Sequence, residues 1–166
     1  LTMLRRAFEA SRVGSQSKLR TDEAHFAQQS RTWLDDYCLY AAISHTQGGA
    51  PWTEWTPALR NRDPETIDRA RRELRGAIEF HTFVQHIFDR QWRRLRRHCA
   101  QLGVRLLGDV PIFVSLQSAD VWAHRDVFRL GDDGRPTVVA GVPPDYFSED
   151  GQLWGNPLYD WDALAK

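Results

Sequence analysis

Val104-Arg105-Leu106-Leu107-Gly108-Asp109-Val110-Pro111-Ile112-Phe113-Val114 is the stretch whose reading decides the fold. It is dense in apolar and β-branched residues, and it follows Gly103, a residue suited to the left-handed cap that ends a helix. Continuous rather than alternating apolar character marks a strand covered on both faces, so the segment is read as a buried, parallel strand. Upstream, Asp63-Pro64-Glu65 has the composition of a helix start, with an N-capping carboxylate, proline at the first helical position and an acid near the positive end of the helix dipole. From there an apolar stripe runs through Ile67, Ala70, Leu74, Ile78, Phe80, Val84, Ile87, Phe88, Trp92, Leu95, Cys99 and Leu102 to Gly103. Its length predicts a division into two helices near Gly76.

Further out, the segment from Leu1 to Ser30 is polar, with Phe8, Leu19 and Phe26 as its apolar anchors and Gly14-Ser15-Gln16-Ser17 as a mobile stretch. It reads as loop plus weak helix, and residues 1–25 receive no further assignment. From about Asp22, the steps Phe26, Trp33, Leu34, Tyr37, Tyr40 and Ala41 predict a helix that ends at Gly48-Gly49. In Pro51-Trp52-Thr53-Glu54-Trp55-Thr56-Pro57 the prolines prevent a regular helix and the two tryptophans require somewhere to pack, so a docked loop is expected. Gly131-Asp132-Asp133-Gly134-Arg135-Pro136 is a turn flanked by Phe128–Leu130 and Thr137–Val139, a small hairpin. Gly141 to Pro157 carries glycines and prolines without periodicity and is expected to be a long structured loop. Asp160-Trp161-Asp162-Ala163-Leu164 reads as the first turn of a helix that continues beyond Lys166, and the chain is therefore expected to be a piece of a longer protein.

Composition narrows the function classes. The 166 residues hold 22 Lys+Arg against 22 Asp+Glu. A formal charge of zero gives no basic field to attract nucleic acid or anionic lipid. No apolar run approaches the roughly 18 residues of a membrane-spanning helix, and the N-terminus shows no signal-peptide core. Cys38 and Cys99 have neither a CxxC spacing nor paired histidines, which fits reduced thiols in a cytoplasmic protein rather than a disulfide or zinc site. The basic run Arg90–His98 places its arginines opposite the apolar stripe and reads as a solvated helix face. His81 and His86 miss the i, i+4 spacing of two ligands on one helical face, so no metal site is assigned.

Two features carry possible chemistry. Asp109, at the end of the expected strand, stands where a parallel sheet opens onto its loops; it is either a site carboxylate or an ordinary loop cap or arginine partner. Tyr146, Phe147, Gln152, Trp154 and Asn156 share a Gly/Pro-shaped loop with Asp145 and Ser148. A sugar ring offers an apolar C–H face and an edge of hydroxyls, and flat aromatics beside amides match both. The other reading is that these aromatics anchor the loop to the core, as Tyr159 and Trp161 are expected to do.

Gly108–Val114, Ser118-Ala119-Asp120-Val121-Trp122-Ala123 and above all Gly134-Arg135-Pro136-Thr137-Val138-Val139-Ala140-Gly141-Val142-Pro143-Pro144-Asp145-Tyr146-Phe147-Ser148 closely resemble the amylomaltases, the 4-α-glucanotransferases of glycoside hydrolase family 77. Gly151–Tyr159 continues the resemblance, and Trp33–Tyr37, Pro51–Trp55 and Glu79–Gln85 share it, so that it covers about Phe26 to the end. The resemblance implies an α/β fold: a (β/α)8 TIM barrel with helical insertions, of which residues 26–166 would form an incomplete part. It implies transfer of a segment of an α-1,4-glucan to the 4-hydroxyl of an acceptor glucan or glucose by a retaining double displacement. The catalytic carboxylates of the family lie on later strands, so none is assigned here. Asp109, Tyr146, Phe147, Gln152, Trp154 and Asn156 are the implied substrate-binding residues, with Tyr146 and Phe147 at the tip of a loop over the cleft.

The implied ligands are maltooligosaccharides and starch- or glycogen-like α-glucans, without metal or organic cofactor, nucleic acid or membrane partner. One departure from the family pattern stands at Leu116-Gln117, where an acidic residue is usual; Gln117 retains hydrogen-bonding capacity but not charge. The competing function class is a non-catalytic carbohydrate-binding or regulatory module that keeps the sugar-contacting loop. The isolated segment is expected to be inactive.

Overall fold

The computed structural model describes residues 2–13 and 17–165. Within them the chain is mostly helical, with a single two-stranded sheet. It divides into two compact units, one formed by residues up to Ile43 with Ala70–Asp109, the other by Ser44–Arg69 with Val110 onward. The expected mobile stretch at Gly14–Gln16 lies outside the described residues.

The first unit is helical. Helices α1 (Thr2–Arg12), α2 (Ser17–Gln29) and the leading part of α3 (Arg31–Thr46) belong to it, with the end of α5 (Pro64–Glu73) and all of α6 (Arg75–Gln101). The described part of the N-terminal segment, expected to be loop plus weak helix, is helical because a few side chains dock it onto α6. Phe8 meets Phe80 and Phe83 edge to face at 5.6 Å, and the Arg5 guanidinium sits 3.8 Å from the Phe80 ring centre. Arg12 bonds Glu23 at 2.6 Å, joining α1 to α2. A polar helix gains its stability from such tertiary contacts rather than from its own periodicity.

The buried face of α3 is Leu34, Cys38, Leu39, Ala42 and Ile43, rotated from the expected stripe so that Trp33 stays half exposed. Burial pushes the Cys38 thiol up to about 11, against a hydrogen bond from Thr82 that works the other way. It remains a neutral thiol at physiological pH and serves as a small apolar residue. His86 is likewise a core residue, stacked on Phe26 at 5.7 Å; burial holds it below the usual imidazole range, while Glu23 opposes and Arg90 reinforces that shift.

The division expected near Gly76 occurs at Leu74, which caps α6. The cap expected at Asp63 is also present: its Oδ2 accepts from the Thr66 N–H at 3.0 Å, and the Thr66 side chain, followed by that backbone bond, holds the carboxyl below its ordinary range. Gly103, with φ +69°, ends α6, and the Val104 N–H donates back to the Cys99 carbonyl at 2.9 Å, the six-residue closure of a Schellman cap.

Two expectations for this region are corrected. The distal half of α6 does not bury its stripe: Phe88, Trp92, Leu95 and Leu102 are exposed. Nor is Val104–Val114 a buried strand. Among the described residues it belongs to no strand, residues 104–110 are all exposed, and Asp109 sits in this coil instead of at a strand end. A strand exists only through hydrogen bonds to its neighbours, and none of the described residues forms a ladder with this segment.

The second unit is built around tryptophans. The docked loop forms a 3-10 turn, Trp52–Glu54, followed by α4 (Pro57–Arg60). Trp52, Trp55 and Trp122 are buried, and each indole N–H has a backbone acceptor: Leu116 O at 2.6 Å, Ala50 O at 3.0 Å and Leu59 O at 3.0 Å respectively. Gln117 accepts from the Trp52 backbone N–H at 3.0 Å, so the departure at this position keeps an acceptor where the fold uses one. Gly134 must be glycine: its φ is +79°, and a Cβ there would lie 2.5 Å from the Trp52 ring. Ser118 caps α7 (Ala119–Ala123), which delivers Val121 and Trp122 to this core.

The turn at 131–136 closes as expected, with Gly131 N–H donating to Arg135 O at 2.8 Å and Thr137 N–H to Arg129 O at 3.0 Å. The expected long loop is instead a hairpin. Strand β1 (Val139–Val142) pairs antiparallel with β2 (Gln152–Pro157), in the register Gly141 to Leu153 and Val142 to Gln152, with an irregularity between Val139 and Gly141. Alternation is missing because most of β2 is exposed on both faces. Asp160 caps α8 (Trp161–Leu164) by accepting from the N–H groups of Asp162 and Ala163, both at 3.2 Å, and the expected helical turn is present. Among the described residues no helix is long and apolar enough to cross a membrane.

Candidate functional site

The β1–β2 hairpin gathers Tyr146, Phe147, Gln152, Trp154 and Asn156 on one element. Its tip is the segment 143–151. Tyr146 is 96% and Phe147 88% exposed, and their rings meet edge to face at 5.6 Å. The reading of these two as core anchors does not hold, since neither is covered. Their backbone is nevertheless ordered: Asp145 Oδ1 accepts from the N–H groups of both Phe147 and Ser148 at 2.9 Å. Ser148 Oγ donates to Gly151 O at 2.6 Å.

The shaft of the hairpin carries a second aromatic surface. Trp154 is 47% exposed, its indole N–H donates to Gln152 Oε1 at 3.1 Å, and Phe113 meets it edge to face with the ring centres 6.1 Å apart. Because that bond occupies the Gln152 carbonyl oxygen, the amide NH2 is the end left to face solvent. Leu153, beside them, is exposed. Asn156 is turned to the protein: its Nδ2 donates to Val114 O at 2.9 Å, tying β2 to the segment after Pro111. Tyr159 stacks between Phe113 at 6.5 Å and Phe128 at 5.1 Å, so it packs as expected, whereas Trp161 is largely exposed.

Asp109 belongs to the helical unit and is exposed there in coil. The hairpin residues and Asp109 are therefore placed on different elements. Two residues with local roles escaped the sequence reading. Phe113 appeared as part of a strand and is a buttress of Trp154 and Tyr159. Asp145 appeared as a bystander, although an Asp followed by two aromatics and a Ser is the spacing at which a carboxylate bonds the N–H groups two and three residues on.

The rim thus joins flat, exposed aromatic faces to amide donors on a short, ordered hairpin. That combination suits a ligand with alternating apolar faces and hydroxyl edges.

Comparisons with known proteins carry the assignment further. The family model described as 4-alpha-glucanotransferase matches residues 1–166, a range that includes the N-terminal residues where no family signature was read. The 4-alpha-glucanotransferase of Thermus thermophilus is 46% identical over 163 residues, 98% of this chain and 33% of that protein. That of Aquifex aeolicus is 45% identical over 141 residues, 85% of this chain and 29% of that protein. The amylomaltase of Streptococcus agalactiae, solved in complex with acarbose, superposes with a TM-score of 0.84 at 36% identity over 91% of this chain and 30% of that one. The chain spans about a third of the length of the curated relatives it matches. On the whole-chain family match and these identities, the chain belongs to the 4-alpha-glucanotransferase family, glycoside hydrolase family 77.

Proposed function

We propose that the complete protein transfers a segment of an α-1,4-glucan to the 4-hydroxyl of an acceptor glucan or glucose, with maltooligosaccharides and starch- or glycogen-like polymers as substrates, in the cytoplasm. The observation that supports this best is the hairpin 139–157, with its exposed aromatic rim and fixed amides, in a chain of this family.

In this reading the reaction is retaining. One carboxylate attacks the anomeric carbon while a second carboxyl gives its proton to the departing glucan oxygen; the acceptor hydroxyl then attacks the glycosyl-enzyme and returns its proton to that second group. Both groups stand on parts of the protein outside residues 1–166. This chain supplies binding surface instead: Tyr146 and Phe147 as an aromatic lid, Trp154 and Gln152 as a sugar-contacting pair, and Asp109 as an acceptor of sugar hydroxyl bonds. Asn156 positions the strand that holds them.

The fold that fits is a (β/α)8 barrel with residues 26–166 as one portion. The exposed stripe of α6 and the coil segment Val104–Val114 are then surfaces met by neighbouring barrel elements.

Incubating the complete protein with maltotriose, without phosphate or nucleotide sugar, is expected to yield glucose together with longer oligomers. Binding of maltotriose without product would favour the carbohydrate-binding module instead. Glucose and maltose without longer products would mean a hydrolase.

A further inference from the structure

We propose that Asp145 is a positioning residue whose carboxylate is used by the loop's own backbone to hold the Tyr146–Phe147 pair in its presenting geometry. This deepens the reading of the hairpin tip as a glucan-facing surface and rests on it.

Both rings are almost fully exposed and touch each other edge to face, so packing against a core does not fix them. What fixes them is the chain beneath. Asp145 Oδ1 accepts from Phe147 N–H and Ser148 N–H, both at 2.9 Å, while the Asp145 N–H donates to Ser148 O at 2.9 Å. Ser148 Oγ closes the far side on Gly151 O at 2.6 Å, and the Gly151 N–H donates to Ser148 O at 3.2 Å. Gly151 in turn permits the close approach of the strands, because at its φ of +73° a Cβ would stand 2.5 Å from Val142 O. The turn is thus bonded from Asp145 to the last pair of the ladder, Val142 with Gln152.

The consequence is energetic. A free loop loses backbone entropy at every residue when a ligand orders it. A loop already ordered by its own carboxylate has met that cost before the ligand arrives, and the saving appears as affinity. The role of Asp145 is then to act through Tyr146 and Phe147, and the requirement is for an acceptor oxygen at that point, not for a charge. An Asn side chain keeps that oxygen; an Ala side chain removes it.

The test uses the complete protein as wild type, Asp145→Ala and Asp145→Asn. Amide exchange at Phe147 and Ser148 and the kinetics of maltotriose disproportionation with added glucose acceptor are measured together. Asp145→Ala is expected to speed exchange at both amides by about tenfold and to raise the acceptor KM about three- to tenfold with kcat changed less than about twofold. Asp145→Asn is expected to restore both readouts to within about twofold of wild type. Unchanged exchange in Asp145→Ala would overturn the proposal. So would an Asp145→Asn protein that keeps the loop ordered but is as impaired as Asp145→Ala, because the carboxylate would then act on the substrate directly. A wild type that makes no longer oligomers from maltotriose defeats the glucan reading, while the exchange arm still decides whether Asp145 orders the tip.

Discussion

Replacing both Tyr146 and Phe147 with Ala in the complete protein is expected to lower the ratio of glucan transfer to hydrolysis by about tenfold, the equivalent of about 1.4 kcal/mol between the two fates of the glycosyl intermediate. Water and an acceptor hydroxyl compete for the same anomeric carbon. An aromatic pair that stacks on the acceptor sugar raises the fraction of time its hydroxyl is poised for attack, and covering the cleft reduces water. The pair suits that task because it is exposed and because its backbone is ordered, so little is spent in arranging it when sugar arrives. Released glucose equivalents and chain-length distribution from the same incubation give the ratio. An unchanged ratio would remove the lid role from this loop.

The second large effect is on stability. Trp122→Ala is expected to destabilise the tryptophan-centred unit by about 3–5 kcal/mol. Trp122 is fully buried, donates to Leu59 O at 3.0 Å, takes the edge of Trp55 at 5.6 Å and carries the Arg62 guanidinium 4.3 Å above its ring. Arg62 adopts a φ of +58°, a conformation that costs a non-glycine residue energy and is held by its surroundings. Truncation therefore removes a packed ring, a hydrogen bond and the partner of a strained residue at once. Trp122→Phe keeps a ring but loses the indole N–H bond to Leu59 O, which still accepts from the Arg62 N–H at 3.2 Å, and about 0.5–1.5 kcal/mol is expected for it. Denaturant unfolding of the complete protein, followed by tryptophan fluorescence, ranks the three proteins. A Trp122→Ala protein as stable as wild type would contradict this account of the unit's core.

What the sequence made legible was what neighbouring residues determine. The cap at Asp63, the helical turn starting at Asp160, the break close to Gly76, the end of α6 at Gly103 and the turn at 131–136 all depend on contacts within a few positions, and each is present. Features that depend on distant partners were not legible. Val104–Val114 has the composition of a buried strand but no ladder among the described residues, and the distal stripe of α6 has the spacing of a core face but no cover. The α1 helix was legible only as weak helix beside loop for the converse reason, since Phe8 and Arg5 dock on α6 from a segment whose own pattern is weak.

The site was legible in the same uneven way. Tyr146, Phe147, Gln152 and Trp154 were picked out by residue type, and all stand on one hairpin that the glycines and prolines of 141–157 had disguised as a loop. Asn156 is expected as a sugar contact from the resemblance, and its Nδ2 also ties β2 to Val114 O. Side-chain orientation of that kind follows from where another segment lies, which local pattern does not encode. Gln117 shows the reverse case, a substitution that looked like a lost charge and retains the acceptor that Trp52 needs.

The central claim is that the rim of the hairpin contacts α-glucan, and covalent footprinting reads it most directly. The complete protein is exposed to hydroxyl radicals with and without maltoheptaose, and oxidation is quantified at Tyr146, Phe147 and Trp154, whose rings are open to solvent in the free chain. Glucan is expected to protect these three at least about threefold while leaving an exposed aromatic elsewhere, Trp33, unchanged; that magnitude corresponds to stacking cover on an aromatic face. Equal oxidation of the three residues with and without saturating glucan would contradict the account.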